Sequence, residues 1–351
     1  MLRTVLIVAA ASGLALSAGL VAQPSSGITW SIDSGRSSGD KVQLTLESRS
    51  PGNRSSWSNT RSLSELQGLT SQSLLGPSHP VRFTMVGDAG RLDCNGSAGG
   101  MYGRGNCSFA PNPAFVSYLQ SRGIGTPSAS QAFSLTMSGV SRDLIDSMGA
   151  LGYARPTVDD LTSMGIHGVK PDFVRGLASS GYRLGSAKDL VTFAIHGVTL
   201  DYIRGMAAAG PKLQRLPASE VVSLRIHGVK PAYVQQMAAI GPEFRNLTAD
   251  NLVTFAIHGV KPELVQAYVR GFGRGVAPDD VVSMAIQGVD AEFITAMARL
   301  GYRDLTANDL VSLRIHGVTP AYVQSLQSAG MTRLSASQLV KLRLAGFDAR
   351  N

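Results

Sequence analysis

Four residues, Ile-His-Gly-Val, recur at 166–169, 195–198, 226–229, 257–260 and 315–318. Ile286-Gln287-Gly288-Val289 fills the gap in the series, Met137-Ser138-Gly139-Val140 precedes it and Leu344-Ala345-Gly346-Phe347 ends it. Successive copies start 29, 29, 31, 31, 29, 29 and 29 residues apart. A second series keeps the same rhythm: Phe115, Leu144, Phe173, Tyr202, Tyr233, Leu264, Phe293 and Tyr322. Self-similarity at a fixed period of this size is the mark of a stack of small units, none of which buries its apolar face alone.

Each unit reads as two short helices. The first starts at Lys170-Pro171, Lys230-Pro231, Lys261-Pro262 or Thr319-Pro320, with proline at the first helical position, where its missing N–H is no loss. Leu200 and Ala291 replace that proline in two units, and Pro211 and Pro242 accompany the longer connections. Tyr233, Val234, Met237 and Ala238 then form an apolar stripe, and Gly241 stops the helix as Gly181, Gly210, Gly301 and Gly330 stop theirs. The second helix opens on Thr306 with Asp309, Ser335 with Gln338, or Ser128 with Gln131, which are capping-box pairs. It continues through Leu310, Val311, Leu313 and Ile315 and ends at the glycine of the repeated tetrad. Helices of about eleven residues, roughly 16 Å long, are too short to persist alone. Stacked side by side they make an α-solenoid over 111–351, whose last helix caps the stack.

Ahead of the repeats the period changes. Ile28–Ile32, Val42–Leu46, Val81–Met85, Gly90–Cys94 and Asn106–Phe109 read as strands. Gly96–Gly105 reads as a glycine-rich hairpin connection, and Ser64-Glu65-Leu66 as one helical turn. The fold class is therefore α+β: a β-rich domain at 27–110 followed by the solenoid. Cys94 and Cys107 fall on the two arms of the last hairpin, where a disulfide is the expectation for an exported chain. Export is read from the first 22 residues: Met1-Leu2-Arg3, an apolar run from Val5, and small residues Ser17, Ala18, Gly19 and Ala22 before Gln23-Pro24. This is the layout of a signal peptide, with an uncleaved single-span anchor as the alternative. The expected compartment is the periplasm or the exterior, or the periplasmic face of a membrane in the anchored case.

The histidines at one repeat position, His167, His196, His227, His258 and His316, invite a metal reading. Distance excludes it. Equivalent positions on adjacent helices stand about 10 Å apart, whereas zinc–nitrogen bonds are about 2 Å. A structural ladder at helix C-termini is the expectation, because imidazole bonds the last carbonyls there, and Gln287 can do the same. Three short matches carry no chemistry. Gly35-Arg36-Ser37-Ser38-Gly39 has the nucleophile-elbow pattern but sits between strands, Ser38-Gly39-Asp40-Lys41 lacks its partner motifs, and Gly103-Arg104-Gly105 lacks a third glycine and a helix. No cofactor or metal site is expected.

The consensus Ile-His-Gly-Val-Thr/Lys-Pro-x-Tyr/Phe-Val resembles the tandem helical-hairpin repeats of bacterial exported proteins. It is also similar to repeats appended to some membrane zinc metallopeptidases of the β-lactam-sensor type. The peptidase's zinc motif and membrane helices have no counterpart in this sequence, so the resemblance implies binding or sensing rather than catalysis. A further likeness is to the DNA-reading helical repeats of transcription activator-like effectors, whose units begin Leu-Thr-x-x-x-Val. Those read bases through a residue pair that varies between repeats, and the nearly constant His-Gly could hold no such code.

Charge argues the same way. The chain carries 32 Lys and Arg against 24 Asp and Glu, and the excess is spread, +2 over 23–110 and +5 beyond, with acids interleaved. No basic stripe for nucleic acid is visible in the sequence. The expected function is a non-enzymatic envelope scaffold presenting its helical surface to a protein or peptide, with a membrane involved only through an uncleaved N-terminal segment. Candidate partner-facing residues, chosen by helix periodicity, are Arg175, Arg204, Gln235, Gln266, Thr295 and Gln324. The alternatives are a module for acidic glycan or lipid surfaces, a non-catalytic subunit of an envelope peptidase, or an envelope enzyme.

Overall fold

The computed structural model describes residues 27–35, 39–50, 53–182, 184–273 and 275–347. The signal-peptide reading of residues 1–22 lies outside them. Among the described residues there are six strands and sixteen α-helices, which establishes the α+β class. Their packing divides into two units, one comprising the chain through Tyr118 with Pro127–Met137, the other Leu119–Thr126 with Ser138 onward.

The first unit is one antiparallel sheet built from β1 (Ile28–Asp33), β2 (Lys41–Ser50), β3 (Asn53–Ser62), β4 (His79–Gly87), β5 (Gly90–Gly99) and β6 (Tyr102–Pro111), in the order β3-β2-β1-β6-β5-β4. Alternation puts Ile28, Trp30, Ile32, Val42, Leu44, Leu46, Val81, Phe83 and Met85 on one buried face. The segment after β3 adds Leu63, Leu66, Leu69 and Leu74 to that core. It opens with a single 3₁₀ turn, Leu63–Glu65, held by a capping box between Ser62 and Glu65, at the helical turn expected there.

Two strand readings need correction. β3 has no signature in the sequence, because Asn-Arg-Ser-Ser-Trp-Ser-Asn-Thr-Arg-Ser lacks apolar alternation; it is an edge strand, paired on one side only with β2. The glycines of 96–105 are not a loop. β5 and β6 run on through them to a turn at Gly100-Met101, where both residues have positive φ as a two-residue hairpin turn demands. Their role is to clear space beneath an indole. Cβ atoms on Gly96, Gly103 and Gly105 would come within 2.8, 2.8 and 2.7 Å of the Trp30 ring. Trp30 donates its Nε1–H to the Asn95 carbonyl at 3.0 Å and meets Phe83 edge to face.

Two helices follow the sheet, α1 (Pro113–Ser121) and α2 (Ala129–Met137). The sequence places both in the solenoid, but α2 packs with the sheet. Phe133 stands edge-on to Phe109 at 5.4 Å, Met137 joins the sheet core and its carbonyl accepts from the Arg61 guanidinium.

The second unit holds seven helix pairs: α3 (Arg142–Ala150), α4 (Val158–Ile166), α5 (Pro171–Ser179), α6 (Ala187–Ile195), α7 (Leu200–Ala209), α8 (Ala218–Ile226), α9 (Pro231–Ala238), α10 (Ala249–Ile257), α11 (Pro262–Phe272), α12 (Pro278–Ile286), α13 (Ala291–Arg299), α14 (Ala307–Ile315), α15 (Pro320–Ser328) and α16 (Ala336–Leu344). Each helix packs on the one two places along, so odd and even helices form two rows. That is the solenoid. Its core is an i, i+3 stripe on most helices, such as Val234 with Met237 on α9 and Leu252 with Phe255 on α10. Capping boxes open α4, α10, α14 and α16. Most helices have nine residues rather than the expected eleven, and α4, α6, α8, α10, α12 and α14 stop at isoleucine, two positions before the glycine.

Candidate functional site

The repeated tetrad is a helix stop with a display position. In the unit after α4, His167 is the C-cap and Gly168 has φ +73°. The Gly168 N–H donates to the Gly165 carbonyl at 3.0 Å and the Val169 N–H to the Met164 carbonyl at 2.9 Å. This is the Schellman pattern, and Val169 and Met164, the pair it favours bringing together, are both buried. The same two bonds close α6, α8, α10, α12, α14 and α16. Glycine is required because φ is left-handed at every copy, from +62° at Gly259 to +73° at Gly168.

The isoleucine of the tetrad points outward. Ile166, Ile195, Ile226, Ile257, Ile286 and Ile315 expose between 53% and 66% of their surface, and Leu344 exposes 68%. Ile315, through which the sequence runs the second helix, is thus on its exposed side. At about 100° per residue, Ile315 lies roughly 170° from the midpoint of the Leu310–Leu313 stripe. That spacing was in the sequence. The result is one large apolar side chain per unit, all at the C-terminal ends of even helices.

The histidines flank this row. His167, His196, His227 and His258 are exposed C-cap residues with no hydrogen bond from their rings to a described residue. His316 alone among the described residues realises the expected carbonyl bond, through Nδ1 to Ser312 O at 2.7 Å. Gln287 holds the corresponding C-cap of α12. No group of three or more His, Cys, Asp or Glu side chains among the described residues is placed to hold a metal.

Some of the bonds between units lie at the same edge, while others, such as Gln327 to the Leu300 carbonyl, lie elsewhere. The Tyr202 hydroxyl donates to the Val229 carbonyl and the Tyr233 hydroxyl to the Val260 carbonyl, each at 2.9 Å. Burial pushes both phenols up to about 12. Arg225 lies over the Tyr202 ring and donates from Nε to the Gly197 carbonyl at 3.1 Å. Arg314 and Arg343 lie in the same way over Phe293 and Tyr322.

The six candidates chosen by periodicity hold one repeat position on successive odd helices, α5 to α15, but their surroundings differ. Arg175 is committed within the fold, bonding Asp143 and Ser147 at 2.8 Å and Asp172 at 2.7 Å, and its guanidinium holds the Asp143 carboxyl below the usual range. Arg204, only 3.7 Å from Asp201, does reach the isoleucine edge. It shares a depression of about 480 Å³ with His167, Lys170, Phe173, Val198 and Leu200. Gln266 and Thr295 line a separate depression of about 450 Å³ with Arg270 and Arg299, and Gln235 a third. Thr295 spends its hydroxyl on the Ala291 carbonyl, while Gln324 is simply exposed on α15.

Cys94 and Cys107 face each other directly across β5 and β6 and are joined in a disulfide. Such a bond persists in an oxidising compartment. No single helix among the described residues is long and apolar enough to cross a membrane. Compared with known proteins, the chain matches no family model, no curated protein and no solved structure.

Proposed function

We propose that this is an exported, non-enzymatic scaffold of the bacterial cell envelope that binds a protein or peptide along the isoleucine edge of its solenoid. The observation that carries this reading is the row of exposed isoleucines. Fully burying an isoleucine stabilises by about 1.5–3 kcal/mol, so a half-exposed one leaves about 1 kcal/mol unrealised. Six such positions in register, Ile166 to Ile315, place that deficit in a single line. A fold that needed only to stack would put polar residues there, as it does at the exposed Lys230 and Lys261 of the same edge. The disulfide supports an oxidising compartment, and the resemblance of the tetrad repeats to those of exported bacterial proteins supports the envelope.

The test is site-specific photocrosslinking in the source organism, with fractionation of the products. A crosslinker at Ile257, at the C-terminal end of α10, should capture a polypeptide in the envelope fraction. The control is Asp250, exposed at the other end of the same helix. Equal capture at the two positions, or cytosolic residence, would refute the reading.

A further inference from the structure

Resting on that reading of the isoleucine edge, we infer that its occupant is an acidic polypeptide segment in polyproline-II conformation, lying across α8 to α16 with one apolar side chain per unit. Charge is the first support. Beside Ile226, Ile257, Ile286, Ile315 and Leu344 stand six basic residues, Arg225, Lys230, Lys261, Arg314, Lys341 and Arg343, against three acids, Glu263, Asp290 and Glu292. Only Arg314 approaches one of those acids, Asp290 at 3.9 Å. The other five make no ion pair with a described carboxylate. Toward the N-terminus the edge is balanced instead, with Lys170 and Arg204 facing Asp172 and Asp201. Arg225 and Arg343 lie over aromatic rings, Tyr202 and Tyr322, next in sequence to the isoleucine and leucine they accompany.

Spacing is the second support. Packed helices stand about 8–10 Å apart, which sets the step between successive isoleucines. A polyproline-II chain has three residues per turn and rises about 3.1 Å per residue, so one face returns roughly every 9.3 Å. A β-strand returns a face about every 6.7 Å, out of step with the row, and an α-helix about every 5.4 Å or, over two turns, about every 10.5 Å, slightly beyond it. Acidic residues at the intervening positions would then reach the lysines and arginines on either side. A polyanionic glycan would satisfy the charges but leave the isoleucines in water, and an anionic lipid surface, which could take up both, is separated from a peptide by the vesicle arm of the test below.

The experiment is fluorescence-anisotropy titration of the disulfide-bonded full chain with labelled peptides of about fifteen residues, built from Leu-Glu-Pro or Leu-Lys-Pro triplets. The glutamate peptide should bind about tenfold or more tightly than its lysine counterpart, polyglutamate or anionic vesicles. Lys230→Glu with Lys261→Glu should erase that preference, and Ile226→Ser with Ile257→Ser should remove binding. All four positions are exposed, and a thermal melt checks that each variant folds. Equal binding of the two peptides, equal binding of polyglutamate or vesicles, or indifference to the lysine substitutions overturns the inference. These results leave the proposed function standing if crosslinking at Ile257 persists; loss of that crosslinking overturns the proposed function itself.

Discussion

Replacing Gly259 by alanine isolates the backbone requirement of the tetrad. Gly259 follows His258 at the end of α10, with φ +62°, and a Cβ added there would meet nothing within 4 Å. No clash contributes, so the whole effect is conformational. Left-handed backbone costs an alanine about 1–2 kcal/mol, while replacing glycine stiffens the unfolded chain and returns about 0.4–1 kcal/mol. The net is a destabilisation of about 1 kcal/mol, which in a unit of this size lowers the melting midpoint by about 2–4 °C. Circular-dichroism melts of the disulfide-bonded chain read it directly. Gly259→Asn should fall between glycine and alanine, because asparagine tolerates the left-handed region. Ile257→Ser, two residues away and exposed, should stay within about 0.5 kcal/mol of the parent. If alanine matches glycine, or asparagine melts below alanine, the stop is not held by the left-handed glycine. If Ile257→Ser melts well below Gly259→Ala, the isoleucine is a packing residue and the docking edge loses its basis.

Removing the disulfide by Cys94→Ser with Cys107→Ser should destabilise the sheet unit by about 3 kcal/mol, from its short loop, and a urea titration followed at tryptophan would show it. No loss of stability would mean that the β5–β6 pairing needs no clamp. Tyr182, Tyr202 and Tyr233 have phenols raised by burial from 10 to about 12. Because the folded value is the higher one, their stabilisation is complete below pH 10 and is lost as pH rises toward 12. Ultraviolet titration should show a late phenolate step that shrinks in Tyr202→Phe and Tyr233→Phe, and an unchanged step would place the buried phenols elsewhere. Gly105→Ala should displace the Trp30 ring, since the new Cβ would sit 2.7 Å from its Nε1 and 2.0 Å from the Asn95 carbonyl oxygen. An unaltered near-ultraviolet spectrum would contradict the packing of that core.

What the sequence revealed followed how narrowly a local conformation selects a residue. The tetrad was legible because a left-handed stop admits glycine and little else, and the residue after it must cover the helix end. Thr306 with Asp309 and Ser335 with Gln338 were legible because capping restricts both partners. Gly96, Gly103 and Gly105 misled, because glycine serves a turn and a cleared floor beneath an aromatic ring equally well. β3 was invisible because an edge strand exposes most of its residues, so Ser56, Ser58, Asn59 and Thr60 carry no apolar signature. α2 follows the repeat in its sequence, and what assigns it to the sheet is Phe133 meeting Phe109, a contact between separate elements. Arg175 illustrates the same limit at the candidate surface: its commitment to Asp143 depends on the stacking of α5 on α3.

The edge that displays the isoleucines is also one of the places where units are tied together. Tyr202 reaches from α7 to the Val229 carbonyl, just past α8, and Tyr233 from α9 to the Val260 carbonyl, just past α10. Each hydroxyl therefore grips the backbone three residues beyond a displayed isoleucine, Ile226 or Ile257. Arg225 ties its unit back to the preceding stop at Gly197. Around Ile226 and Ile257, then, hydrogen bonds to the stops reinforce the step that helix packing sets. A periodic partner needs this, because an error in step accumulates along the row and the later contacts would be lost first. Freeing one tie, as in Tyr233→Phe, should therefore weaken a ligand spanning several units more than one contacting a single isoleucine. A scaffold that recognised its partner at one unit would show no such length dependence.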